Sequence, residues 1–115
     1  MEIGDLGEKL ACEWLWRSGA RVLYRNFRAP KGGEVDLVLR DGSILCFVEV
    51  KTRTKRGEGR PLDAVDEAKQ ALIERGGREW LRLLQSREIS SRYDVVEVIL
   101  VNGERADITW VKNAF

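Results

Sequence analysis

The sequence predicts a small α/β domain whose mixed sheet is flanked by helices. Two segments carry apolar residues at helical spacing. Five more alternate or run apolar at strand length, and the order is α-β-β-β-α-β-β. At 115 residues and 13.1 kDa the chain has the length of one domain, read as residues 1–115.

Asp5 is expected to open the first helix, where Leu6, Leu10, Ala11, Trp14 and Leu15 form one stripe, and Gly19 to end it. Val22 to Arg28 alternates as a strand, and Ala29 to Gly33 is a turn. Glu34–Arg40 and Ser43–Lys51 form a hairpin about Asp41-Gly42. The run ILCFVEV is apolar on both faces, as in a central strand covered on both sides. A second helix is expected to start near Pro61 and run toward Ser86, with Leu62, Val65, Leu72, Ile73, Trp80, Leu81 and Leu84 facing the core. Gly76-Gly77 is expected to kink or interrupt it. Tyr93–Val101 is a strand, and Asn102-Gly103 turns it into Ala106–Val111.

Composition excludes much. Hydrophobic residues at 43% and charged residues at 34% describe a folded, soluble chain. No apolar run approaches the roughly 20 residues of a membrane span. The segment MEIGDLGEKL is acidic and lacks the features of a signal peptide, so the expected location is cytoplasmic. There is no histidine, which removes histidine-based triads, histidine zinc sites and histidine-dependent nucleases. Cys12 and Cys46 have no metal-ligand spacing and read as reduced, buried hydrophobes. The net charge of +1 hides an uneven distribution. The first 13 residues are acidic, whereas KTRTKRGEGR carries Lys51, Arg53, Lys55, Arg56 and Arg60 against Glu58 alone. That stretch suits a phosphate backbone, or is an ordinary solvated loop.

The chemistry lies in acids inside apolar strands. A carboxylate at Glu49 loses hydration and needs a cation or hydrogen bonds, and Asp36 sits likewise within EVDLVL. A two-residue loop at Asp41-Gly42 sets Asp36 opposite Phe47 and Glu34 opposite Glu49. Glu34, Asp36, Glu49 and Lys51 then share one face. Asp36 and Glu49 become diagonal neighbours with Cβ atoms roughly 7 Å apart or less. A four-residue loop keeps this parity, and a three-residue loop breaks it. Like charges so close invite a hard cation, and Lys51 can orient a water or stabilise charge on a phosphate. The alternative is that Glu49 and Lys51 simply pair at the strand end.

With these residues in place the sequence resembles the YraN-like proteins, an uncharacterised bacterial family. GEVDLV (33–38) and FVEVKTR (47–53) carry the likeness, with GEKLA (7–11), RNFR (25–28), Lys69-Gln70, RYDVV (92–96) and NAF (113–115). That family is similar to the restriction-endonuclease-like superfamily and to archaeal Holliday-junction resolvases, with the PD-(D/E)xK signature on an αβββαβ core. The resemblance implies that Asp36, Glu49 and Lys51 are the D, E and K. Asp36 and Glu49 would bind Mg²⁺ or Mn²⁺, and Lys51 would serve the attacking water. Glu8 matches a first-helix acid that can reach the metal region, although Asp5 and Glu8 are also spaced as a capping box. Glu34 reads as an outer metal acid or a solvated strand end. Lys69 meets a phosphate or solvent, while Arg53, Lys55, Arg56 and Arg60 are the expected phosphate contacts.

The expected function is therefore a metal-dependent endonuclease acting on DNA, in branched or single-stranded structures. The partners are nucleic acid, a second copy of the chain as in resolvases, or a protein of DNA processing; no membrane is involved. The competing reading is a non-catalytic module on the same fold that binds nucleic acid or protein.

Overall fold

The computed structural model describes residues 2–85 and 88–115. The elements are α1 (Ile3–Arg17), β1 (Arg21–Arg28), β2 (Glu34–Asp41), β3 (Ile44–Arg53), a 3₁₀ turn (Pro61–Ala64), α2 (Glu67–Leu84), β4 (Ser91–Ile99) and β5 (Asp107–Val111). The five strands form one sheet in chain order, β1-β2-β3-β4-β5. Every neighbouring pair is antiparallel except β3 and β4, which α2 joins as a parallel crossover. This is the expected α/β architecture with a mixed sheet between helices. Among the described residues, no helix is long and apolar enough to cross a membrane.

Two apolar layers follow from strand alternation. Cys46, Val48, Val96 and Val98 pack with Ala11 and Leu15 of α1, while Leu45, Phe47 and Val95 pack with Ile73 of α2. The doubly apolar run of β3 is thus explained by a helix on each side. Leu6 and Leu84, expected in the core, are exposed near the outer ends of their helices.

Three local expectations are corrected. The first helix starts at Ile3 rather than Asp5 and has Glu2 at its N-cap, so Asp5 and Glu8 form no capping box. Pro61 opens only the 3₁₀ turn; α2 begins at Glu67, capped by Asp66, whose side chain accepts from the Lys69 N–H at 2.8 Å. Its expected end at Ser86 lies outside the described residues. The pair Gly76-Gly77 does not interrupt α2. A Cβ on Gly77 would lie 2.7 Å from Tyr93 Oη and 2.9 Å from Phe47, and one on Gly76 would lie 2.8 Å from Val35 Cγ2. The glycines let the helix backbone rest directly on the sheet, and close packing offsets their low helix propensity.

Candidate active site

The hairpin between β2 and β3 sets the site. Its loop is Gly42-Ser43, with Asp41 paired to Ile44, instead of the expected Asp41-Gly42. The pairing is offset by two residues, so the side chains paired from Leu37 to Asp41 keep their face.

Asp36 sits where β2 breaks pattern. Phe27 pairs with Val35 and Arg25 with Leu37, but the step between them, Asn26 with Asp36, is skipped. Asn26 has a left-handed φ of 57°. Val35 packs in the α2 layer and Leu37 in the α1 layer, although regular alternation would put both on one face. On the other side, the β2–β3 ladder stops at Leu37–Val48, and Asp36 Oδ2 instead accepts the Val50 N–H at 2.9 Å. The strands part here, and Asp36 is turned into the opening.

That opening is a cleft of about 370 Å³ lined by Glu8, Asp36, Glu49, Lys51 and Thr52 among others. Glu8 reaches it because α1 lies almost on β3. A Cβ on Gly7 would fall 1.9 Å from Thr52 Oγ1, so only glycine fits unless Thr52 moves. Arg25 and Asn26 fix the Glu8 carboxylate, donating to its Oε1 at 3.2 and 3.1 Å. Those two residues were missed as positioning groups. Their arrival opposite α1 depends on the skipped pair at Asn26, for which the sequence carries no obvious signal.

Glu49 lies deeper in the cleft than Lys51. Its side chain is 12% exposed, and its Oε2 is buried with no hydrogen-bond partner among the described residues. Burial first, and then the Asp36 charge, push its pKa up to about 8, with Lys69 opposing. Protonation would let Glu49 donate to Asp36; ionised, the two carboxylates face each other with no proton between them. Lys51 is exposed at the cleft and makes no ion pair among the described residues. The cation near Glu49 is Lys69, at 3.6 Å, and not Lys51.

Lys69 also holds Glu34 Oε1 at 2.5 Å, and Arg28 approaches Glu34 Oε2 at 3.5 Å. The hydrogen bond from Lys69 lowers the Glu34 pKa. Burial works against the Lys69 charge, but Glu34 and Glu49 keep its pKa above the ordinary lysine value. Glu34 is thereby drawn toward α2, and among the described residues no three acids converge to hold an ion by themselves. Asp36 and Glu49 remain as a pair. One or two carboxylates with waters and phosphate oxygens suffice for Mg²⁺, so the donor set fits a hard cation. The orphaned Glu49 oxygen is where such an ion would be felt.

The basic stretch is less free than its composition implies. Arg53 is buried, its Nε 3.0 Å from Glu97 and its guanidinium donating to the Glu58 and Arg60 carbonyls. It ties the loop to β4 and is not a phosphate contact in this conformation. Arg56 is held by Glu104 and Asp107, and Arg60 by Asp63. Lys55 is exposed and makes no ion pair among the described residues.

Comparison with known proteins places this sequence in a family. Residues 7–98 match the model of uncharacterised protein family UPF0102. The chain belongs to that family. A UPF0102 protein of Trichlorobacter lovleyi is 42% identical over 98% of this chain and 89% of its own length. One from Symbiobacterium thermophilum is 42% identical over 98% and 95%, and one from Rhodococcus opacus 39% identical over 100% and 97%. The resemblance to YraN-like proteins is therefore upheld. The UPF0102 match runs from Gly7 in α1 to Val98 in β4 and spans all the candidate site residues.

Proposed function

We propose that this UPF0102 chain is a metal-dependent endonuclease that hydrolyses DNA phosphodiesters in branched or single-stranded structures, on a restriction-endonuclease-like αβββαβ core. One observation carries the reading: the buried Glu49 Oε2 beside Asp36, without a hydrogen-bond partner among the described residues, in a cleft that also holds Lys51. A folded chain rarely leaves a buried carboxylate oxygen unpaired without a use for it.

Asp36 and Glu49 would hold Mg²⁺ or Mn²⁺. When bound, such an ion polarises a phosphoryl oxygen and lowers the pKa of water. The residues supply the rest. The Val50 N–H fixes Asp36 so that one carboxylate oxygen stays available. Lys51, in no ion pair among the described residues, would offer its ammonium to a phosphate in the cleft, where charge builds during hydrolysis. Glu8, held by Arg25 and Asn26, adds a fixed negative charge on the α1 wall that can orient water.

The test is cleavage of labelled linear duplex, single strand, flap and four-way junction in Mg²⁺, Mn²⁺ or EDTA, beside Glu49→Ala. Metal-dependent cutting that is lost in the variant is the expected result. Cutting that survives the substitution removes Glu49 from the chemistry. Absence of cutting on all four substrates favours the second reading, a binding module. Lys69 motivates that reading, because it already partly neutralises Glu49 without a metal.

A further inference from the structure

A second depression lies outside the acid cleft. It has a volume of about 910 Å³ and runs between the outer flank of α1 and the free edge of β1. Trp16 (64% exposed) and Leu23 (51%) line it, with Arg17, Arg21 and Arg25. Glu13 is the acid among its lining residues. The Arg21 guanidinium lies 5.9 Å from the Trp16 ring centroid, so an aromatic face and a cation are presented together. Arg25 also donates to Glu8, which lines the acid cleft, so this ion pair is a shared wall between the two depressions.

Two kinds of occupant would suit a free strand edge. A second β1, paired antiparallel, would bring Arg21, Arg25 and Arg28 of one copy against those of the other. The register shift between Val22 and Tyr24 and the left-handed Asn26 also break the regular ladder that strand addition needs. An anionic strand meets neither obstacle. It finds cations for its phosphates and an exposed indole for a base.

We propose that the α1–β1 groove seats a single-stranded nucleic-acid segment, with a base on Trp16 and phosphates on Arg17 and Arg21, beside the acid cleft. This deepens the endonuclease reading, since it makes the preferred substrate a duplex with an unpaired flank. The groove needs no metal, so it can be tested apart from cleavage.

The experiment is fluorescence anisotropy of fluorescein-labelled dT20 with the full chain in EDTA, across a salt series. Trp16→Ala should weaken binding about tenfold, the loss of one stacked base, and Trp16→Phe should restore most of it. Arg17→Glu with Arg21→Glu should weaken binding and flatten the salt slope by about 1.4, the value for two single-strand phosphate contacts. All of these side chains lie on the surface, and circular dichroism confirms that the variants fold. Three results overturn the proposal: no dT20 binding by the wild type, binding indifferent to these substitutions, or a wild-type dimer that they dissociate in sedimentation. A chain that binds dT20 through Trp16 but never cuts would keep the groove and lose the nuclease. One that cuts while ignoring Trp16 would do the reverse.

Discussion

Asp94, fully buried, and Glu49, half-buried, are acids on adjacent strands one step apart in register: Asp94 pairs with Val48, and Glu49 with Val95. Their treatment could hardly differ more. Asp94 is fully buried, and both its oxygens are satisfied. Its Oδ1 accepts from Arg92 Nε at 2.9 Å and the Asn113 N–H at 2.8 Å, and Oδ2 accepts from Trp110 Nε1 at 2.9 Å. Arg92 continues to Asp41 at 2.7 Å, and Lys112 reaches the same carboxylate at 3.1 Å. The network locks β5 and the β2–β3 hairpin onto β4. Glu49 instead has a lysine at 3.6 Å, a like charge beside it and one oxygen with no partner among the described residues. The chain offsets the burial cost of one carboxylate internally and leaves the other open. The first pattern holds a fold together; the second is what the proposed metal site would use.

The largest effect is expected at the satisfied acid. Asp94→Ala strands Arg92, Trp110 and the Asn113 N–H around a vacated site. Loss of one partner from a buried charge network costs about 3–5 kcal/mol, so urea unfolding should show a loss of that order. A loss below about 1 kcal/mol would mean that the network is not what joins β5 to the sheet.

The mirror-image prediction is that Glu49→Gln stabilises the metal-free protein. The sign follows from linkage. Glu49 has a raised folded pKa, so the native state keeps a proton that the unfolded state has already released. Stability contributed by this group therefore falls as pH rises from about 4.5 toward about 8. Glutamine has no charge to lose. At pH 9 in EDTA the variant should exceed wild type by on the order of 1–3 kcal/mol, with the gap closing below pH 5. A gap independent of pH would separate the gain from Glu49 ionisation. Lys69→Met sharpens the same contrast. It removes the internal cation that competes for Glu49 and Glu34, and Mn²⁺ should bind the variant more tightly by calorimetry. Unchanged affinity would make Lys69 a bystander.

The difference between these regions also explains what was legible. Helix and strand periods fixed the element order, and two-residue alternation placed Asp36 and Glu49 on neighbouring strands. Parity survived the wrong loop because the actual offset is two. The loop itself was not legible, since Asp41 is held by Arg92 and Lys112, which arrive 51 and 71 residues later. Glu8 was recognised as a candidate, but its partners depend on a skipped pair in β1. Gly76-Gly77 was misread because propensity sees the helix and not the sheet beneath it. Trp16 falls outside the apolar stripe of α1 (Leu6, Leu10, Ala11, Trp14 and Leu15), and it is exposed.

The smallest effects test the same principle in the basic loop. Counted along the chain, Lys55 and Arg56 look equivalent. In space Arg56 is held by Glu104 and Asp107, acids from beyond β4, whereas Lys55 makes no ion pair among the described residues. A phosphate approaching Arg56 must displace two carboxylates that already neutralise it, so little is gained. Lys55→Ala should reduce the salt slope of duplex binding by about 0.9, the value for one phosphate contact, and Arg56→Ala by much less. Equal slopes for the two variants would mean that Glu104 and Asp107 release Arg56 when nucleic acid arrives. The ion pairs around the loop would then be a resting state of the binding surface, and Arg56 would rejoin the phosphate contacts expected from composition.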